Sequence, residues 1–206
     1  MMSRRAWLIA VAALAAGCAV PQPFTDEFYA PMRVRAGATG AVVVRAFTDQ
    51  RPGGAPSVVF EYDTPSGERR IGRATAPVGE GVAQAFVRGL SARGFQVTDE
   101  TKRAAGAAPG AAARAIVTGR VAEFGVTMAR SSLVTGSRQR VGCRVTVEVR
   151  DATGARRLWE RDYQRVVEGA MDIHEPFHLL ARALADVVEQ AVADPELLRA
   201  VRGAGG

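Results

Sequence analysis

The sequence predicts an α+β domain, a two-layer sandwich in which a mostly antiparallel or mixed sheet is covered on one face by two main helices. Alternating apolar and polar residues predict three long strands in the second half of the chain. Apolar residues at helical spacing predict one helix before these strands and one after them. The 206 residues suit one domain, and a composition of 48% apolar and 23% charged residues excludes a disordered chain. Strands with segregated covering helices favour the α+β class.

The first strands are predicted to be short. A β-prone run over 41–47 ends in a turn-rich loop at 49–54. The following segment, 57–73, has apolar residues on either side of a Pro-Ser-Gly turn, which predicts a hairpin.

The first helix is predicted over 81–93. Its apolar residues recur every four positions and are Val82, Phe86 and Leu90. Gly94 follows at a position that favours left-handed backbone angles, and Phe95 can contact Leu90, as in a Schellman motif. The next strand is expected to begin at Phe95.

Three longer strands are expected at 114–127, 138–150 and 156–168. The last two are joined by a hairpin turn that contains Gly154. The alanine-rich segment 104–113 is interpreted as a loop inserted before them.

Two helices are predicted at the C-terminal end. The longer one covers 175–192, and its apolar stripe consists of Phe177, Leu180, Leu184, Val187, Val188 and Ala191. Asp194 then offers an N-cap and Pro195 a first helical residue, so a short helix is expected over 195–202.

The N-terminus has the features of a secretory signal. Arg4 and Arg5 precede an apolar run over 6–16, which is too short to span a bilayer because about 20 residues are needed. The run ends in Ala15-Ala16-Gly17-Cys18, which resembles the lipobox of bacterial lipoproteins. An ordinary signal peptide followed by an unrelated cysteine is the alternative interpretation.

The lipobox implies a signal peptide over 1–17, a lipidated tether over 18–39 and a single periplasmic α+β domain over 40–206. Diacylglycerol and palmitate on Cys18 would attach the chain to a membrane, and two or more acyl chains do so stably. Residue 19 is alanine and not the aspartate that retains many such lipoproteins in the inner membrane. The resemblance therefore implies the periplasmic face of the outer membrane.

The second cysteine, Cys143, lies on the apolar parity of the strand 138–150. Free cysteine behaves as a small buried apolar residue, so core packing is the favoured interpretation. An intermolecular disulfide is the alternative in an oxidising compartment.

The segment from His174 to His178 matches the zinc motif H-E-x-x-H, in which Glu175 would act as the general base. Pro176 cannot lie inside a helix, so the two histidines are not expected on one helical face. Zinc also needs a third protein ligand, and although Glu189, Asp194 and Glu196 could supply oxygen, no third histidine or glycine-rich continuation follows the motif. No metal and no cofactor is therefore expected, and a zinc hydrolase is retained only as an alternative.

Two pairs of residues are candidate interaction points. Asp49 and Arg51 follow a central strand, where polar residues can bind a partner, although an aspartate that caps its own loop is the favoured interpretation. Trp159 and Tyr163 alternate with arginines along the last strand. Such a pattern fits a protein interface and a ring stacked on an arginine stem equally well.

Other function classes are disfavoured. The sequence has no G-x-S-x-G elbow, and Gly79-Glu80-Gly81 lacks the third glycine of a dinucleotide motif. The 27 basic residues, which leave a net charge of +6, are spread along strands and helices, so no nucleic-acid partner is expected.

Taken together, these segments resemble the YajG-type bacterial lipoproteins. The shared features are the lipobox, Asp49-Gln50-Arg51 after the first strand, Ile71-Gly72, the run 90–97, the run 159–163, and 194–198 in the terminal helix. The resemblance implies lipid anchoring and the fold, and no established catalysis. We therefore expect a lipid-anchored binding or accessory module of the bacterial cell envelope, with an envelope protein as its partner. A carrier of a lipid or peptidoglycan fragment is the alternative.

Overall fold

The computed structural model describes residues 37–53, 55–63, 69–102, 114–129, 138–170 and 176–203. This part of the chain contains eight strands and three helices. In chain order they are β1 (Ala41–Arg45), β2 (Thr48–Asp49), β3 (Val58–Asp63), β4 (Arg69–Arg73), α1 (Val78–Arg93), β5 (Gln96–Glu100), β6 (Ala115–Ala129), β7 (Arg138–Asp151), β8 (Arg157–Ala170), α2 (Pro176–Ala193) and α3 (Pro195–Gly203).

The strands form one mixed sheet organised around the long strand β6. One edge of β6 pairs antiparallel with β7, which pairs antiparallel with β8. The other edge of β6 pairs parallel with β1, β2 and β3 in succession. Strand β5 lies parallel to β1 on its outer side, and β4 forms a hairpin with β3. The register of β6 shifts at Ala122, where a β-bulge separates the part next to β2 from the part next to β3.

The helices cover one face of this sheet. Helix α1 packs against β1, β5 and β6, α2 packs against β6, β7 and β8, and the two helices contact each other. The alternate residues of β7 that face the helices are Val141, Cys143, Val145, Val147 and Val149, and all are fully buried. The predicted two-layer α+β sandwich is therefore confirmed, and we refer to the opposite side of the sheet, against which no described helix packs, as its uncovered face.

Helix α1 ends as the sequence predicts. Gly94 adopts the left-handed conformation with φ of 109°, and its N–H donates to the carbonyl of Ser91. The N–H of Phe95 donates to the carbonyl of Leu90 at 3.1 Å. These two bonds complete a Schellman motif and direct the chain into β5.

The beginning of α1 differs from the prediction. The helix starts at Val78, before the predicted Gly81, because its first turn packs against Phe47. The N–H of Phe47 donates to the carbonyl of Gly79, and a Cβ on Gly79 would lie 1.9 Å from the carbonyl oxygen of Phe47. The same contact takes Phe47 out of the sheet, so β1 ends at Arg45, before the predicted end at residue 47, and a separate short strand β2 follows at Thr48.

The described part of the chain begins within the predicted tether, and residue 37 is already packed on the domain. The N–H groups of Gly37 and Ala38 donate to the carbonyl of Arg93 at 3.1 and 3.0 Å, and Ala38 is buried. Packing of the domain therefore starts at or before Gly37, ahead of the predicted boundary at 40. The predicted signal peptide, the rest of the tether and the segment 104–113 lie outside the described residues.

Candidate functional site

The loop that follows β2 is held by an ion pair between Asp49 and Arg51. The guanidinium donates from Nε and Nη2 to the two carboxylate oxygens of Asp49, at 2.8 and 2.7 Å. Its Nη1 donates to the backbone carbonyls of Val58 in β3 and Phe124 in β6, at 2.6 and 3.1 Å. Arg51 thus connects the loop to two strands of the sheet.

Burial alone would raise the pKa of Asp49, but the hydrogen bonds and the charge of Arg51 lower it below its ordinary value. The Asp49 carboxyl is therefore ionised at neutral pH. These contacts give Asp49 and Arg51 a structural role within the loop, and an interaction role for either residue stays a prediction. The residue between them, Gln50, is exposed.

Two clefts flank this loop. One, of about 450 Å³, opens on the uncovered face, and its polar lining residues include Arg45, Thr48, Gln50, Arg120, Glu148 and Arg150. The other, of about 430 Å³, is lined by Arg51, Val59, Glu123, Phe124, Thr127 and Arg144 among others. We refer to the first as the polar cleft. Among the described residues that line the two clefts there is no serine, cysteine or histidine.

The polar cleft has a charged and internally paired floor. Glu148 is only 6% exposed and forms ion pairs with Arg150 at 2.8 Å and Arg120 at 3.9 Å. Arg120 also pairs with Glu160 of β8. At the other end of the cleft, Arg45 pairs with Glu100 at 3.2 Å. Positive and negative groups are thus matched, which suits hydrogen bonding to a polar ligand or protein surface more than capture of a single ion.

The paired charges continue along the uncovered face beyond the cleft. Asp162 of β8 accepts from the Thr146 hydroxyl at 2.6 Å and from Arg144 at 2.7 Å, and these two bonds lower its pKa. The functional interpretation of the sequence missed this network, although its signal is present. In 144–150, polar or charged residues occupy every second position between valines, so one face of β7 is apolar and the other charged.

The second predicted pair, Trp159 and Tyr163, lies on the helix side of β8. The Tyr163 hydroxyl donates to Asp194 at 2.7 Å, and burial together with that carboxylate raises the pKa of Tyr163. Arg161 lies between them, with its guanidinium carbon 5.8 Å from the Trp159 ring centroid, and donates to Asp194 at 2.6 Å. Tyr163 is 8% exposed and Trp159 is half-buried. Their interaction role also stays a prediction.

The structure does not bring the two predicted pairs together. Asp49 and Tyr163 lie in one row across the sheet, because both are linked through Val121 of β6 and Val145 of β7. Three strand spacings separate their backbones by about 14 Å. The side chain of Tyr163 points toward the helices.

Cys143 lies in the core with no exposed surface, so the predicted core packing is confirmed. Burial raises the pKa of its thiol, with a smaller contribution from the charge of Glu123. In the described part of the chain, no three His, Cys, Asp or Glu side chains are arranged to hold a metal ion. His178 is exposed, while His174, Glu175 and Cys18 lie outside the described residues. None of the described helices is both long and apolar enough to cross a bilayer.

Neither a protein-family model nor a curated protein matches the sequence. Several solved structures, however, superpose on this structure. Protein XCC0632 from Xanthomonas campestris, of family model DUF330, superposes with a TM-score of 0.53 at 14% identity, over 78% of this chain and 90% of that one. Lipoprotein GNA1162 from Neisseria meningitidis superposes with a TM-score of 0.41 at 13% identity, over 75% of this chain and 99% of that one. The second value is too low to support an argument. The first shows that the domain shares the fold of the DUF330 protein.

Proposed function

We propose that the chain is a lipid-anchored binding or accessory module at the periplasmic face of the bacterial outer membrane, without catalytic activity. The observation that carries this proposal is the signal and lipobox that end in Cys18, followed by a domain whose packing has begun by Gly37. Eighteen residues separate the two, so a lipid on Cys18 would hold the domain close to the membrane without taking part in its core. The resemblance to the YajG-type lipoproteins supports the same function.

The polar cleft is the proposed binding site for an envelope partner. Its arginine and glutamate side chains are fixed by ion pairs, and Gln50 and Thr48 on its rim are exposed. Side chains fixed in this way lose little conformational entropy when a polar partner binds.

A carrier of a peptidoglycan fragment is the second candidate. Hydroxyl, amide and carboxylate groups of such a fragment would match the arginine and glutamate lining of the polar cleft. A lipid carrier would need an apolar cavity, and the polar cleft is not lined in that way, because Arg45, Arg120, Glu148 and Arg150 all line it. Calorimetric titration of purified muropeptides into the protein separates this candidate from a protein-binding module.

Replacement of Cys18 by serine tests the anchor. Serine cannot receive the thioether-linked diacylglycerol, so Cys18→Ser is expected to abolish palmitate labelling and attachment to the outer-membrane fraction, with the domain still folded. Cys143→Ala is the matched control, because the buried Cys143 thiol is not available to an acyltransferase and its loss is expected to leave the label unchanged. A Cys18→Ser protein that remains labelled, or a wild-type protein that takes up no label, would contradict the proposal.

A further inference from the structure

One end of the sheet carries the point at which the N-terminal segment joins the domain. There the carbonyl of Arg93, at the end of α1, accepts from Gly37 and Ala38. Strands β1, β5 and β6 all begin at this end, and β7 finishes there, since Ala115 pairs with Asp151. We refer to residues 37–40, 93–96, 114–115 and 151–157 as the tether end of the domain.

The tether end has a surplus of positive charge. Its described residues include four arginines and one acid, Asp151. Arg114 and Arg156 are exposed. In the described part of the chain, no acidic side chain forms an ion pair with either of them. They lie next to each other in the fold, because Arg114 precedes the residue that pairs with Asp151, and the carbonyl of Arg156 accepts from the N–H of Asp151.

The acid at this end offsets one of the four positive charges, but within the described residues it forms no side-chain ion pair with these arginines. The Asp151 carboxylate accepts from the Thr153 hydroxyl at 2.7 Å and from the N–H of Ala155 at 3.1 Å. The Thr153 bond is the main cause of a lowered pKa for Asp151, so the group stays ionised inside its own turn. Of the other two arginines, Arg157 pairs with Glu160 and Arg93 is half-buried. Arg114 and Arg156 remain directed at the solvent.

The position of the anchor brings this end toward the membrane. Between Cys18 and Gly37 the chain can extend over at most roughly 65 Å, and it joins the domain at the tether end. This end therefore reaches the bilayer with the shortest length of chain. Arg33 and Arg35 also precede Gly37 in the sequence, whereas the acidic Asp26 and Glu27 lie nearer Cys18.

We propose that the tether end docks on the anionic phospholipid surface of the membrane that holds the Cys18 lipid. The inference rests on the proposed anchor and adds an orientation to it. Basic side chains at an anionic bilayer surface each strengthen binding by roughly fivefold, and this attraction is screened by salt. With the tether end on the membrane, the strands stand upright on the bilayer and the polar cleft opens sideways, toward partners in the same layer of the envelope.

Energy transfer from Trp159 measures this orientation in the mature lipoprotein. The chain has two tryptophans, and Trp7 lies in the signal peptide, so cleavage leaves Trp159 alone. Trp159 lies two residues from Arg157, within about 7 Å along β8 of the tether end. The protein is reconstituted into phosphatidylcholine vesicles with a dansyl lipid as acceptor, with or without 30 mol% phosphatidylglycerol. Transfer is expected to be efficient only with phosphatidylglycerol and to fall in 1 M salt.

A pair of charge-matched variants locates the effect. Arg114→Gln/Arg156→Gln is expected to weaken docking by about 25-fold, from two factors of about five. Arg73→Gln/Arg182→Gln removes the same net charge from β4 and from the exposed side of α2, away from the tether end, and is expected to leave transfer unchanged. Equal transfer with and without phosphatidylglycerol, or equal loss in both variants, overturns the proposed orientation. Failure of the wild-type protein to float with either vesicle would instead overturn the anchor on which it rests.

Discussion

Asp194 connects the last helix to the sheet, and its removal gives a sharp test of how α3 is held. One carboxylate oxygen accepts from the N–H of Glu196 at 2.8 Å, which caps α3. The other accepts from the Tyr163 hydroxyl at 2.7 Å and from Arg161 at 2.6 Å. Asp194 is only 7% exposed, so these groups would lose their partner without full compensation from water.

The expected losses follow from these contacts. Loss of an N-cap costs about 1 kcal/mol, and loss of a buried hydrogen bond to a carboxylate costs about 1.5–3 kcal/mol. Asp194→Ala should therefore lower the free energy of unfolding by about 3 kcal/mol. Asp194→Asn keeps the cap and should cost about half as much. Tyr163→Phe removes only the hydroxyl and should cost about 1.5 kcal/mol.

Urea unfolding followed by Trp159 fluorescence measures these values, and the double variant Asp194→Asn/Tyr163→Phe completes a cycle. We expect the double loss to fall short of the sum of the single losses by about 1 kcal/mol. Additive losses, or a Tyr163→Phe protein as stable as wild type, would show that the Tyr163 hydroxyl contributes nothing to stability through Asp194, contrary to this expectation.

The contribution of Asp194 to the free energy of unfolding depends on pH, and the sign of this dependence follows from the pKa of Asp194. Burial alone would raise the pKa of Asp194, but bonds from Tyr163 and Glu196 and the charge of Arg161 lower it below its ordinary value of 3.8. The unfolded carboxyl therefore binds its proton at higher pH than the folded one. Its stabilisation is present above pH 3.8 and is lost as the pH falls through the lower folded value. The difference in free energy of unfolding between wild type and Asp194→Asn should therefore become smaller as the pH falls below 3.8.

Two further substitutions test the core and the start of the domain. Cys143→Ala should lower the free energy of unfolding by about 1–2 kcal/mol, because it leaves a small void. In the wild-type protein, the Cys143 thiol should react with a labelling reagent only as fast as the domain opens. Rapid labelling would contradict its burial. Gly94→Ala should cost about 2 kcal/mol, because φ is 109° and the new Cβ would lie 2.7 Å from the Ala38 carbonyl oxygen. Gly53→Ala, at φ of 68° with no atom within 4 Å of its Cβ, is the control and should cost about half as much; equal losses in urea unfolding would mean that the contact with Ala38 is unimportant.

Local patterns were sufficient for most elements of the fold. The stop of α1 at Gly94 depends on residues within five positions of one another, and the strands β6 to β8 follow from alternation within each segment. The start of α1 could not be predicted in this way. Gly79 has poor helix propensity, and it becomes helical because Phe47, 32 residues earlier, needs close contact with its backbone. The same contact also causes the break between β1 and β2, and because its two residues are far apart in sequence, no local pattern predicts that break.

The candidate site was accessible to sequence reasoning only in part. Asp49 and Arg51 are two residues apart, so their mutual contact is local, and the loop was identified by its position after a strand. The partners of Tyr163 and Glu148 were not accessible, because Asp194 and Arg120 lie 31 and 28 residues away, and strand register decides which charges meet. A pattern of alternating charge predicts a polar face, but it does not predict which pairs line a cleft.

The proposed anchor of this domain is a lipid carried by Cys18. Trypsin would release residues 18–33 from the mature protein, because Arg33 is the first basic residue after Cys18. Mass spectrometry of that peptide, from protein extracted from its native membrane, measures the modification directly. We expect a peptide that begins at Cys18 and carries diacylglycerol with an additional acyl chain. An unmodified Cys18, whether within an uncleaved signal or in a peptide that begins at another residue, would contradict it.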